Sequence, residues 1–178
     1  MKKPSRGFTI VELLIVIVVI GILAAITIVS FNGVQKRAAN TARETELRSW
    51  QKVFEVYKAA NNGVYPGPAT GAECLGENFP VGSGGVRRCR SLSDDAYSYQ
   101  QTANAATMTQ IKTIANLPNS SRTPVGAFIG PFAFYDTSII TLVGVFSAQD
   151  AASSCPSGLT YTPSGNADVA ACTIILTR

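Results

Sequence analysis

The sequence predicts an α+β protein in which a long N-terminal helix, membrane-spanning in its first half, packs against an antiparallel β-sheet head. Three observations lead to this prediction. An apolar segment of membrane length starts near residue 8, a proline-free amphipathic stretch follows it, and short runs of strand-forming residues occupy the C-terminal half. We expect four parts: a leader over 1–7, a membrane-spanning helix over 8–31, its amphipathic continuation over 32–62, and a globular head over 63–178.

Composition and charge argue against catalysis and against a nucleic-acid partner. The formal net charge is +4, and Lys2, Lys3 and Arg6 near the N-terminus supply three of these charges. Histidine is absent, which excludes Ser-His-Asp and Cys-His catalysis. The sequence also has no G-x-S-x-G elbow and no phosphate-binding loop. We therefore expect a structural protein, not an enzyme, with no cofactor and no metal.

The apolar segment has the length of a membrane span. No charged residue occurs from Leu13 to Phe31, which is a stretch of 19 residues. As a helix it covers roughly 28 Å, close to the hydrocarbon thickness of a bilayer. A secretory signal peptide needs small residues two apart, and Ala24-Ala25 does not supply that spacing. A plain single-span anchor stays open as an alternative.

Glu12 is the feature that neither a signal peptide nor a plain anchor explains. An ionisable group near the middle of a membrane segment costs roughly 2.5–3.5 kcal/mol on insertion scales, and less near the end. One interpretation is a carboxylate that snorkels to the membrane surface. The other is that Glu12 meets a positive charge.

The stretch "RGFTIVELLIVIVVIGILAAI" resembles the N-terminus of type IV prepilins and type II secretion pseudopilins. The resemblance implies that a prepilin peptidase cuts between Gly7 and Phe8 and methylates the new Phe8 amine. It also implies that Glu12, the fifth residue of the cut chain, acts in assembly. The helix dipole disfavours the Phe8 cation, and a carboxylate from a neighbouring subunit would neutralise it. Glu12 and Phe8 would then set the register between subunits.

The resemblance implies that the protein is a filament subunit. The precursor would lie in the inner membrane with its head outside the cytoplasm, and other pilin subunits would be its partners in an extracellular or periplasmic filament. The sequence does not separate a pilus subunit from a secretion pseudopilin, and an uncut surface anchor or adhesin is the alternative from another class. Many family members have a proline midway through the membrane helix, where this sequence has only Gly21.

The long helix is expected from about Thr9 to Ala60, because no proline interrupts that range. Glu44 and Arg48 stand four residues apart and predict a weak ion pair. The turn "NNGVYP", which also resembles pilins and pseudopilins, predicts the end of the helix near Gly63. The second half of the helix has an apolar stripe at intervals of three or four residues, formed by Leu47, Trp50, Phe54, Tyr57 and Ala60.

Four cysteines lie beyond the membrane segment: Cys74, Cys89, Cys155 and Cys172. None belongs to a C-x-x-C pair, which disfavours a zinc site. Their even number predicts two disulfides in an oxidising compartment, with four buried thiols as the alternative. Three pairings are open, and Cys74–Cys89 with Cys155–Cys172 is preferred because both close short loops.

The head is expected to be a sheet of four to five strands. Residues 63–93 are rich in glycine and proline and predict a stapled loop between helix and sheet. The segment 107–115 fits a strand or a helix, and the strand is preferred for its threonine and isoleucine content. Ser138–Ser147 is the best buried strand. The remaining predicted strands are 96–102, 125–135 with a break at Gly130-Pro131, a short strand within 158–165, and a closing strand over 168–177.

Two clusters of charged residues in the head are compatible with a binding role. Arg87, Arg88 and Arg90 flank Cys89 and are of the type that contacts DNA phosphates, although solvated loop charges are favoured. Asp94-Asp95 resembles part of the calcium loop of some pseudopilins. No spaced run of acids surrounds this pair, so a helix cap or a turn is favoured.

Overall fold

The computed structural model describes residues 7–93, 98–119, 123–148 and 155–178. Its contacts divide the chain after Ala38 into an N-terminal unit and the unit Ala39–Arg178. The predicted α+β architecture is confirmed. The helices are α1 (Ile10–Ala60) and α2 (Ala105–Lys112), and the strands are β1 (Gly71–Cys74), β2 (Arg88–Ser91), β3 (Tyr99–Gln100), β4 (Phe128–Ile129), β5 (Phe132–Tyr135), β6 (Ile139–Ser147), β7 (Thr160–Pro163) and β8 (Val169–Thr177).

The strands of the described residues form two antiparallel sheets. The larger has the order β1-β5-β6-β8-β7, and the smaller has the order β3-β2-β4. Strands β6 and β8 pair over nine residues each and form the centre of the larger sheet. The buried strand predicted over 138–147 is confirmed. The predicted closing strand is also present, but it lies between β6 and β7 and is paired on both sides.

The second half of α1 packs on one face of the larger sheet through the predicted apolar stripe. Leu47, Trp50 and Phe54 are completely buried, Tyr57 is half-buried, and Ala60 at the end of the stripe is exposed. They pack with side chains that alternate along β5, β6 and β8, as expected for one face of a sheet. These side chains are Ala133, Tyr135, Ile140, Leu142, Ile174 and Leu176.

Gly144 in β6 lies directly under Leu47 of α1, with no room for a side chain between them. A Cβ atom added there would lie 2.7 Å from Cε2 of Phe146 and 3.2 Å from Cδ2 of Leu47. The absence of a side chain at this position therefore allows Leu47 to reach the sheet.

Polar side chains of α1 donate hydrogen bonds to backbone carbonyls of the head. The Asn40 amide nitrogen donates to the Ser147 carbonyl at 2.8 Å, and the Ser147 amide donates back to Oδ1 of Asn40 at 3.0 Å. Arg48 forms the predicted ion pair with Glu44 at 2.8 Å and also donates to the Ser157 carbonyl at 2.6 Å. These bonds fix the direction of residues 40–60 of α1 along the sheet, because they lie at different points along this part of the helix.

α1 ends at the predicted turn, through a Schellman-type arrangement. Asn62 has a positive φ of 54°, and the Gly63 amide donates to the Lys58 carbonyl at 2.9 Å. Tyr65 then returns to the helix, where its hydroxyl donates to Oε1 of Glu55 at 2.6 Å. Burial, with the Glu55 carboxylate beside it, raises the pKa of Tyr65 to about 12.

The strand predicted over 107–115 is wrong, because Ala105–Lys112 forms α2. Thr107, Met108 and Ile111 are buried at helical spacing, and this burial outweighs the β preference of threonine and isoleucine. The hydroxyl of Thr109 bonds to the Ala105 carbonyl, which satisfies a polar group inside the helix. The spacing of the buried residues in this segment indicates a helix, whereas residue type alone favours a strand.

The stapled loop expected over 63–93 is only partly correct, since β1 and β2 lie within it. Each has four residues, which is too short for a clear alternation of apolar and polar side chains. Pairing with a neighbouring strand therefore determines that these residues form strands. Of the strand predicted over 96–102, only Tyr99–Gln100 pairs in a sheet, Gln101–Asn104 forms a 3-10 turn, and residues 96 and 97 lie outside the described residues. The structure has the disulfides Cys74–Cys89 and Cys155–Cys172.

We expect Gly144→Ala to destabilise the head by about 1–3 kcal/mol, because the new methyl group would meet Phe146 and Leu47. Urea unfolding of the full chain in detergent micelles, followed by the fluorescence of the single, buried Trp50, measures this change. Gly33→Ala is the control, because nothing lies within 4 Å of a Cβ at Gly33. An unchanged midpoint for Gly144→Ala would contradict the close approach.

Candidate processing and assembly site

Gly7 and Phe8 lie just before α1 and belong to no regular element. Nothing lies within 4 Å of a Cβ atom built on Gly7, and Phe8 is 85% exposed. The structure therefore places the bond between Gly7 and Phe8 where cleavage requires no unfolding of α1.

Thr9 and Glu12 form a capping box at the start of α1. The Thr9 carbonyl accepts a hydrogen bond from the Leu13 amide, which makes Thr9 the N-cap residue. Its hydroxyl oxygen accepts from the Glu12 amide at 3.3 Å, and Oε2 of Glu12 accepts from the Thr9 amide at 2.8 Å. The hydroxyl of Thr9 also donates to the same Oε2 at 2.8 Å. The two residues thereby satisfy amides that would otherwise lack partners.

The capping box gives Glu12 a partner within its own chain. This partner differs from both interpretations drawn from the sequence, a snorkelling carboxylate and a pair with a charge on another subunit. The signal that would have predicted this role is the pattern Thr-x-x-Glu directly before an apolar run, which is typical of a helix start. A carboxylate in the first turn also interacts favourably with the helix dipole.

The first part of α1 presents apolar side chains in every direction. From Phe8 to Val34, the large apolar side chains that the structure describes are between 48% and 85% exposed. By length and composition, α1 contains a candidate membrane span in its N-terminal part. A helix that is apolar all round needs an apolar environment, which is either a lipid bilayer or other helices.

Of the arginines around Cys89, Arg87 is exposed and Arg90 is half-buried, but the expectation of a solvated loop charge is wrong for Arg88. Arg88 is 4% exposed and donates to the Ser83 carbonyl at 3.1 Å and to the Ser98 hydroxyl at 2.9 Å. Arg87 donates to the Phe79 carbonyl at 2.6 Å. Arg90 bonds to the Tyr99 hydroxyl and lies 5.2 Å from the ring centre of Phe134. Neighbouring carbonyls and hydroxyls thus bind guanidinium groups that the sequence placed in solvent, with contact to DNA phosphates as the alternative.

The outer face of the larger sheet, opposite α1, has a groove of about 530 Å³. Phe132, Phe134 and Thr141 form part of its wall, and Arg90 is the one titratable side chain of its lining. Among the residues that the structure describes, the groove therefore has no acid–base pair of the kind that catalysis requires.

The described residues contain no group of three or more histidine, cysteine, aspartate or glutamate side chains that is placed to hold a metal ion. Asp94 and Asp95, for which a calcium role or a turn was considered, lie outside the described residues.

Comparisons with known proteins agree with the N-terminal site. Residues 2–28 match the family described as the prokaryotic N-terminal methylation motif. The type II secretion system core protein G of Vibrio cholerae is 32% identical over 77 residues, which cover 42% of this chain and 52% of the relative. The type IV wide pilus major component PilA4 of Thermus thermophilus is 43% identical over 60 residues, which cover 34% of this chain and 46% of the relative.

The chain spans about half the length of these curated relatives. A core protein G from Klebsiella pneumoniae is 29% identical over 95 residues, or 66% of that relative. No solved structure matches the chain significantly. The resemblance to prepilins and pseudopilins that the sequence indicated is confirmed by the motif and by both kinds of relative.

We expect Thr9→Ala to loosen the first turn of α1 by about 0.5–2 kcal/mol, because the N-cap hydroxyl is lost. NMR measurement of amide exchange at residues 10–13, in the full chain in detergent micelles, detects this change. Thr9→Ser is the matched control, since serine keeps the hydroxyl and should restore slow exchange. Equal exchange in Thr9→Ala and the unmodified chain would exclude a stabilising role for the cap.

Proposed function

We propose that this chain, which has the prepilin-type methylation motif and is similar to secretion core protein G and to PilA4, is a structural subunit of a type IV pilus-like filament. One observation carries the proposal. An exposed Gly7-Phe8 bond stands directly before a capping box that contains Glu12, and an apolar helix with exposed side chains follows it. This arrangement supports three successive steps: cleavage, formation of a new charged terminus, and burial of the helix.

In the proposed pathway the precursor is held in the cytoplasmic membrane by residues 8–31, with residues 63–178 outside the cytoplasm. The two disulfides support this placement, because disulfides persist in oxidising compartments. A prepilin peptidase removes residues 1–7 and methylates the amine of Phe8. The subunits then leave the bilayer and polymerise, so that apolar helices bury one another in the core of an extracellular or periplasmic filament.

Glu12 changes its partner during this pathway. In the uncut chain its carboxylate accepts hydrogen bonds from Thr9. Cleavage creates a positive amine on Phe8, and in a filament core that amine lies in a medium where an unpaired charge is costly. Pairing between Glu12 of one subunit and the Phe8 amine of the next removes both unpaired charges and favours one register.

A secretion pseudopilin is the second candidate, and the similarity to core protein G favours it. It uses the same processing and the same helix core, and differs in forming a periplasmic filament. An uncut single-span anchor or adhesin is the alternative from another class. We do not propose a nucleic-acid partner, because Arg87, Arg88 and Arg90 are engaged within the head.

The first test is the N-terminus of the protein extracted from membranes of its native host. We expect a chain that begins with N-methyl-Phe8, measured by intact mass and N-terminal sequencing. A host without prepilin peptidase is the control and should yield the uncut precursor. A chain that still begins at Met1 in cells with an active peptidase would favour the uncut anchor.

We expect Glu12→Gln to be cut normally but to reduce filament yield at least about tenfold, since breaking a buried ion pair costs about 3–5 kcal/mol. Glutamine keeps an oxygen acceptor for the Thr9 cap and removes only the charge. Quantification of sheared filaments by electron microscopy and immunoblotting measures the yield. Glu44→Gln, which removes an acid paired with Arg48 on the same helix, is the control. Normal filaments with Glu12→Gln would refute the register role.

A further inference from the structure

Glu73 is a buried acid that the proposed assembly does not use. It lies in β1, the edge strand of the larger sheet, and only 8% of it is exposed. Its Oε2 accepts a hydrogen bond of 2.6 Å from the hydroxyl of Thr107, which is itself 2% exposed and belongs to α2. This hydrogen bond joins a helix to a strand across the interior of the head.

The groups that face Glu73 include no cation paired with it among the described residues. From β5 it meets Tyr135, a neutral side chain that is 4% exposed. The guanidinium of Arg178 lies 5.8 Å from the Tyr135 ring centre and donates to the carbonyls of Pro68 and Ala69. Lys112 of α2 pairs instead with Glu77 at the surface. A buried carboxylate supported by neutral donors is costly to keep ionised.

The contact between β1 and α2 depends on few polar groups. The side-chain amide of Asn104, directly before α2, donates to the carbonyls of Cys74 at 2.6 Å and Gly76 at 2.9 Å. The bond from Thr107 to Glu73 is the next one along the helix. Met108 and Ile111 supply the apolar part of the contact, in the same core cluster as Leu75. A change at the Glu73 carboxyl therefore acts directly on the docking of α2.

We propose that Glu73 is a proton-responsive latch, in which the neutral carboxyl favours docked α2 and the ionised carboxyl weakens its docking against β1. The inference concerns the head alone and is independent of the proposed filament. Burial raises the pKa of Glu73 above its ordinary value of 4.5, and the nearby hydroxyls of Thr107 and Tyr135 oppose this rise.

The direction of the pH effect follows from proton binding. Between the ordinary and the raised pKa of Glu73, the folded head holds a proton that the unfolded chain has released. The stability of the head therefore falls as pH rises through this window, and is highest on its acidic side.

The test compares the full chain in detergent micelles at about pH 5 and about pH 8. Urea midpoints from Trp50 fluorescence report stability, and hydrogen exchange of peptides covering 105–112, corrected for intrinsic rates, reports the docking of α2. In the unmodified chain we expect a lower midpoint and faster α2 exchange at the higher pH. Glu73→Gln should lose both shifts and be more stable than the unmodified chain at the higher pH.

Two further variants make the test specific. Glu77→Gln removes the surface acid that pairs with Lys112 of α2, and it should leave the pH shift of α2 exchange in place. Thr107→Val removes the donor that supports the ionised carboxyl, and it should enlarge the shift even if Glu73→Gln fails to fold. Parallel pH profiles for the unmodified chain and Glu73→Gln, or an unchanged shift in Thr107→Val, would overturn the latch.

Discussion

The packing of the α1 stripe on the five-stranded sheet is the interaction on which the head depends. Leu47, Trp50 and Phe54 are completely buried, and each contributes roughly 1.5–3 kcal/mol of hydrophobic stabilisation as an upper estimate. The backbone bonds donated by Asn40 and Arg48 have fixed geometry only because this apolar contact holds the helix on the sheet. Gly144 contributes to this packing because a side chain there would meet Leu47 and Phe146.

The sequence predicted the elements whose patterns are long and local. α1 and β6 were expected nearly to their ends, because periodicity over many residues is a strong signal. β1 and β2 were not expected, since a four-residue strand takes its register from a partner elsewhere in the chain. α2 was predicted as a strand because threonine and isoleucine favour strands, but the spacing of Met108 and Ile111 is that of a helix.

In the candidate site, too, most features carried by neighbouring residues were predicted and those that depend on the folded chain were not. Gly7, Phe8 and Glu12 were identified from a motif in which every residue is close in sequence, and the N-terminal family match covers them. The partnership of Glu12 with Thr9 is also local and was not predicted, although the pattern Thr-x-x-Glu before an apolar run indicates it. The placement of Arg88 was beyond sequence reasoning, because its acceptors Ser83 and Ser98 meet it only after the loops have folded.

The two disulfides have a mechanical consequence for a subunit under load. They join residues that are 15 and 17 positions apart in the chain. A fully extended residue spans at most about 3.3–3.6 Å, so each bridge withholds roughly 50–60 Å of contour length from stretching. β7 lies inside the loop closed by Cys155 and Cys172, and a force that peeled this edge strand from β8 would release no extra chain beyond the bridge. Tension on the chain would therefore not extend the two bridged loops, and the head would remain covalently closed at its C-terminal edge.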